Sequence, residues 1–114
     1  MEIVKKVKKR TGEIVDFDEE KIKSAIRKAF SFLGFADEKV LTDITKEVVK
    51  KLNDRVYLFE NKIPSVEQIQ DIVEETLFEK NERIAKAYSL YRRSRHLARE
   101  IKLFLKLKDD LKFN

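Results

Sequence analysis

Two glycines and one proline in 114 residues leave this chain little with which to turn. An all-β sandwich or barrel needs a turn signal about every 8–12 residues. Gly12, Gly34 and Pro64 cannot supply that, so the fold must rest on long helices with few connections. The length suits one domain. Apolar residues make up 42% of the chain, enough for a core and too many for wholesale disorder.

Chemistry is narrowed as sharply. Cysteine is absent and His96 is the single histidine. Disulfide frameworks, thiolate metal sites, thiol catalysis and Ser/His/Asp triads with internal alternatives are thereby excluded, which leaves mainly binding. No apolar run approaches the roughly 20 residues of a membrane span. The opening MEIVKKVKKR lacks the apolar core of a signal peptide, so a cytoplasmic location is expected. Abundant Lys and Glu with few Gln fit a thermophile's charge-networked surface.

Residues 3 to 17 read as a β-hairpin. Ile3, Val4 and Val7 precede Thr11-Gly12, and Ile14, Val15 and Phe17 follow, with Gly12 able to supply the positive φ of a two-residue turn. A lone hairpin is marginal, so it must lean on helices or on a third strand. Asp18 can cap a first helix carrying Ile22, Ala25, Ile26, Ala29, Phe30 and Leu33, closed by Gly34. Asp37 can cap a second, with Val40, Leu41, Ile44, Val48 and Leu52, ending at Asn53-Asp54. The short apolar run Val56-Tyr57-Leu58-Phe59 fits a helix end, a loop or a strand. Ser65-x-x-Gln68 is a capping box for a third helix with Val66, Ile69, Ile72, Val73 and Leu77. Asn81 interrupts, and a fourth helix follows with Ile84, Ala87, Tyr88, Tyr91 and Leu97, extending toward Ile101 and Leu105. The expectation is an α+β domain: a four-helix bundle capped by an N-terminal hairpin or three-stranded sheet.

Three groups of cations stand out. Lys5, Lys6, Lys8, Lys9 and Arg10 crowd one hairpin strand. They suit an edge protected against sheet aggregation, and equally an anion site in which Lys9 and Arg10 grip a polyphosphate. Arg92, Arg95 and Arg99 lie at i, i+3 and i+7 on the fourth helix, beside Tyr88 and Tyr91. They can complement the helix dipole or hold a nucleotide or nucleic acid. Lys21, at the start of the first helix, is either a solvated lysine or part of an anion-binding terminus. There is no G-x-x-x-x-G-K-[ST] loop, no G-x-G-x-x-G turn and no carboxylate pair set out for acid–base work.

These features occur in a recognisable order. VKKRTGEIVDFDEEKIKSAIRKAF, from Val7 to Phe30, resembles the opening of the ATP-cone domain, and SVEQIQDIVEETLFEKNERIAKAYSLYRRSR, from Ser65 to Arg95, resembles its second half. The telling blocks are Lys9-Arg10-x-Gly12, Phe17-Asp18-x-x-Lys21-Ile22, Ile69-Gln70-Asp71-x-Val73-Glu74 and Ala85-x-Ala87-Tyr88-x-x-Tyr91-Arg92.

The resemblance implies a regulatory module of ribonucleotide reductases that binds ATP or dATP, with Mg²⁺, without hydrolysing it. It implies adenine nucleotides and a reductase catalytic body as partners, nucleotide-linked self-association, and no direct contact with nucleic acid. By position, Lys9 and Arg10 match the phosphate-gripping pair. Arg95, with Arg92 nearby, matches a basic residue of the last helix, so one of these two is expected to face the phosphates and Arg99 is not. Val7, Ile22 and Ile69 match the walls around the base; Lys21 and Asp18 match polar contacts to base or ribose. Val66 stands where some members have a hydroxyl residue, Val15 where many have an acid, and Thr11 where Asp is common. Residues 1–95 correspond to the module. Residues 96–114, ending FLKLKDDLKFN, resemble the segment that joins it to the catalytic body in adenosylcobalamin-dependent reductases, and are expected to be a helical linker. The competing readings are a small basic nucleic-acid-binding module and a plain interaction bundle.

Overall fold

The computed structural model describes residues 2–34 and 37–110. Two strands, β1 (Lys6–Lys8) and β2 (Ile14–Asp16), precede four helices: α1 (Glu19–Phe32), α2 (Glu38–Asp54), α3 (Val66–Lys80) and α4 (Glu82–Asp110). Each helix starts where the sequence offers an acceptor. Asp18 Oδ1 takes the Glu20 N–H at 3.0 Å. Asp37 Oδ1 takes those of Lys39 and Val40. Ser65 and Gln68 close both halves of the capping box. Asn81 ends α3 and also caps α4, its Oδ1 accepting from Arg83 and Ile84. Gly34 follows α1 at φ +65°, the left-handed position that closes a helix.

The helices form a ring of neighbours: α1 packs on α2 and α4, and α3 packs on α2 and α4. Between them lies one core containing Ile26, Ala29, Phe30, Leu41, Val48, Leu52, Val73, Leu77 and Tyr88. The hairpin lies over one end and sends Val4 and Val7 into the same core. It is held there by Lys8 N–H to the Pro64 carbonyl at 3.0 Å and by Val4 N–H to Asn53 Oδ1 at 2.9 Å. The surface carries ion pairs that join helices, among them Lys51 to Glu75 and Glu79, and Lys80 to Glu47.

Several expectations need correction. Among the described residues the sheet has two strands; the only addition is a single parallel bridge from Lys8 to Ser65, at the start of α3. The turn is longer than two residues. Lys9 and Glu13 close it, Gly12 N–H bonds the Lys9 carbonyl, and Gly12 sits at φ +91°. This is a three-residue loop with glycine at the left-handed position. The run from Val56 is two 3₁₀ turns, Val56–Leu58 and Glu60–Lys62, with Val56 and Phe59 buried and Tyr57 and Leu58 exposed. With no glycine in this connection, Asn61 and Lys62 take the left-handed region themselves. Leu97, Ile101 and Leu105 continue α4, as the spacing suggests, but lie exposed beyond the bundle. The last four residues of the tail lie outside the described residues.

Candidate functional site

Strand alternation points Val7 inward while Lys6 and Lys8 face solvent. Beneath Val7 is a cavity of about 270 Å³, enclosed by the hairpin, the start of α1, α3 and α4. Its walls are largely apolar: Val7, Val15, Phe17, Ile22, Ala25, Val66, Ile69 and Val73, with Tyr88 of α4. Polar groups at the wall are Lys9, Asp16, Asp18, Lys21 and Gln70. A small apolar recess with a few convergent polar groups is the usual form of a ligand site.

Those polar groups are differently engaged. Asp16 pairs with Lys6 across the hairpin, which holds its carboxyl below the usual range. Asp18 is committed to capping α1. Lys9 lies 3.8 Å from Glu13, a loose pairing within the turn. Lys21 is exposed at the first turn of α1 and forms no ion pair among the described residues. Two cations thus stand at the cavity edge, one unpaired and one weakly held.

A second recess adjoins the first. It is lined by Arg10, Glu67, Glu74, Ser89, Arg92, Arg93, His96 and Arg99. Arg92 is half-buried and clamped by three carboxylates: Glu67 at 2.7 Å, Asp71 at 2.9 Å and Glu74 at 2.6 Å. Burial opposes its charge, but the hydrogen bonds it donates to Glu74, Glu67 and Asp71 outweigh that and hold the guanidinium firmly protonated. Arg10 reaches the same cluster from the hairpin, 2.8 Å from Glu67, and donates to Gln70 Oε1 at 3.1 Å. The bond from Arg92, aided by the charge of Arg10, lowers the Glu67 pKa. Arg99 is shifted down by burial first and then by the like charges of Arg10 and Arg95.

The structure therefore gathers Val7, Lys9, Asp18, Lys21, Ile22 and Ile69 around the first cavity and Arg10 and Arg92 in the second. Arg95 is exposed and lines neither, whereas Arg99 lines the second. Sequence reasoning passed over Tyr88 and Gln70 as lining residues and the carboxylates Glu67, Asp71 and Glu74 as partners. The signal for the last three was present: positions i, i+4 and i+7 put them on one face of α3.

A family model described as the ATP cone domain matches residues 5–97. The chain is 37% identical over 116 residues to the vitamin B12-dependent ribonucleoside-diphosphate reductase of Thermoplasma acidophilum, an alignment covering 96% of this chain and 14% of that protein. It is 32% identical over 110 residues to the protein of the same description from Mycobacterium tuberculosis, covering 96% and 15%. With the anaerobic ribonucleoside-triphosphate reductase of Haemophilus influenzae the identity is 37% over 93 residues, covering 81% and 13%. The chain spans only about a seventh of the length of these relatives.

Proposed function

The chain belongs to the ATP cone domain family, and from that premise we propose that it is the allosteric adenine-nucleotide site of a ribonucleotide reductase, binding ATP or dATP without hydrolysing it. The observation that carries this is the pairing of an apolar cavity sized for a base with cations at its rim and, alongside, the Arg10–Arg92 cluster. The base lies between Val7, Ile22 and Ile69, Lys21 and Asp18 meet its polar edge or the ribose, and Lys9, Arg10 and Arg92 take the phosphates. Arg95 is then a long-range contributor of charge. Mg²⁺ enters with the triphosphate.

Residues 1–95 form the binding module, and 96–114 form the linker toward a catalytic body, whose activity the nucleotide sets through a change in self-association; α4 carries that linker as far as Asp110. Exposed Leu97, Ile101, Phe104 and Leu105 on α4 are the apolar surface that such a neighbour would cover. No described helix is long and apolar enough to cross a membrane. Calorimetry with ATP, dATP and a duplex oligonucleotide at one salt concentration is the test. Saturable 1:1 or 2:1 binding of the nucleotides with no oligonucleotide signal supports the proposal. Salt-sensitive oligonucleotide binding without nucleotide binding overturns it.

A further inference from the structure

Tyr88 is the most deeply buried polar side chain in the wall of the first cavity, with 2% of its surface exposed. A buried tyrosine normally gives its hydroxyl a partner, because an unmade hydrogen bond there leaves the group desolvated and uncompensated. Among the described residues the Tyr88 hydroxyl has no hydrogen-bond partner, although no fully buried side-chain polar atom is left unpaired. The hydroxyl is therefore not sealed in protein. It opens onto the space its residue lines.

Its surroundings locate that opening. After burial, the groups that act on it most are Arg92 and Glu74, then Tyr91 and Arg10; Arg92, Glu74 and Arg10 line the second recess. Arg92 lies four residues on along α4, hence on the same helix face. Tyr88 thus stands where the apolar cavity gives way to the arginine cluster. In a nucleotide the sugar lies between base and phosphates. A ligand with its base in the first recess and its phosphates toward the second must place its sugar at this junction.

We infer that the Tyr88 hydroxyl hydrogen-bonds a sugar hydroxyl of the bound nucleotide and so sets the preference between ribo- and deoxyribonucleotides; this rests on the adenine-nucleotide reading above. Burial also pushes the phenol's pKa upward, so it stays a neutral group able to donate or accept. Of the neighbouring polar groups, Asp18 also caps a helix, Gln70 is engaged by Arg10, and Lys21 stands at the exposed rim, away from the junction with the arginine cluster that Tyr88 marks.

The test is Tyr88→Phe, which keeps the ring and removes only the hydroxyl. Its affinity for ATP, 2′-deoxy-ATP and 3′-deoxy-ATP is compared with the parent's by calorimetry, with a thermal melt as the check on folding. ATP affinity is expected to fall about tenfold, while affinity for the analogue lacking the contacted hydroxyl falls less than about threefold. Equal losses for all three ligands, or no loss for any, overturn the assignment. If the parent chain binds none of the three, the failure lies with the nucleotide reading, and this inference falls with it. Should Tyr88→Phe lower the melting temperature severely, the parent's own ratio of affinities for the three ligands, measured beside Tyr88→Trp, decides. An indole that fills the junction must abolish discrimination between them if the inference holds.

Discussion

Arg10 and Arg92, one on the hairpin and one on the last helix, hold opposite oxygens of a single carboxylate, Glu67, at 2.8 and 2.7 Å. The two guanidiniums that a polyphosphate would need are thus already neutralised, and tied together, by the protein. Any anion entering between them must compete with Glu67, so the carboxylate lowers affinity while it holds the cations in place. Replacing Glu67 with Gln keeps the shape and removes the competing charge. Calorimetry is expected to show ATP bound more tightly, by up to about tenfold or ~1.4 kcal/mol. Unchanged or weaker binding would show that phosphates do not reach this pair.

The same carboxylate makes stability depend on pH. The Arg92 guanidinium holds the Glu67 carboxyl below the usual glutamate range, and Arg55 does the same for Glu75. A carboxylate with a depressed folded-state pKa contributes stability that is complete above its unfolded value and is lost as pH falls through the folded one. Melting temperature should therefore be level near neutrality and decline below about pH 4.5. Glu67→Gln and Glu75→Gln should each flatten that decline, and parallel curves for parent and variants would contradict it. Both side chains are substantially exposed, which keeps each contribution small.

Lys9→Ala and Arg10→Ala are expected to weaken ATP binding with little change in stability. On the proposed reading each would remove a charge-assisted phosphate contact worth ~1.5–3 kcal/mol. Both residues are exposed, and their pairs with Glu13 and Glu67 are surface pairs of small net value. Melting temperatures within a few degrees of the parent, alongside affinity losses near tenfold or more, are the expected result. Two variants that bind as well as the parent would place the phosphates elsewhere.

What could be read from the sequence follows from which interactions are local. Caps at Asp18, Asp37, Ser65 and Asn81 and the left-handed Gly34 are decided within a few residues, and they stand as the spacing implies. The inward face of the hairpin was legible for the same reason: alternation alone sets Val7 apart from its lysines. The turn was not, because Thr11-Gly12 fits both a two-residue and a three-residue loop, and only the Lys9–Glu13 closure decides. Partners across elements were beyond reach. Glu67 meets Arg10 and Arg92 from 57 and 25 positions away, so no spacing rule reports either pair. Tyr88 looked like an ordinary core residue because its ring is one; that its hydroxyl has no partner among the described residues emerges only in three dimensions.

The arginines of α4 separate the site from a generally basic helix. Helical spacing puts 92, 95 and 99 on one broad face, with 95 at its edge about 60° from 92, so periodicity alone does not set Arg95 apart. The packing does so: Arg92 and Arg99 line the second recess with Arg10, and Arg95 is exposed outside it. Arg92→Ala should lose the most ATP affinity, about tenfold or more, and it should also cost stability, since Glu67, Asp71 and Glu74 would lose their shared cation. Arg92→Lys separates the two effects: it restores the charge, and hence the fold, but not the two-pronged guanidinium contact. Arg99→Ala should give an intermediate loss, because its charge already faces that of Arg10 and an arriving anion would relieve the repulsion. Arg95→Ala should be close to neutral. Affinities for all four variants at one salt concentration, with melting temperatures alongside, check the order. Equal small losses at 92, 95 and 99 would reduce the cluster to a solvated basic face. A dominant loss at Arg95 would mean that the ligand lies toward the edge of this face, outside the second recess.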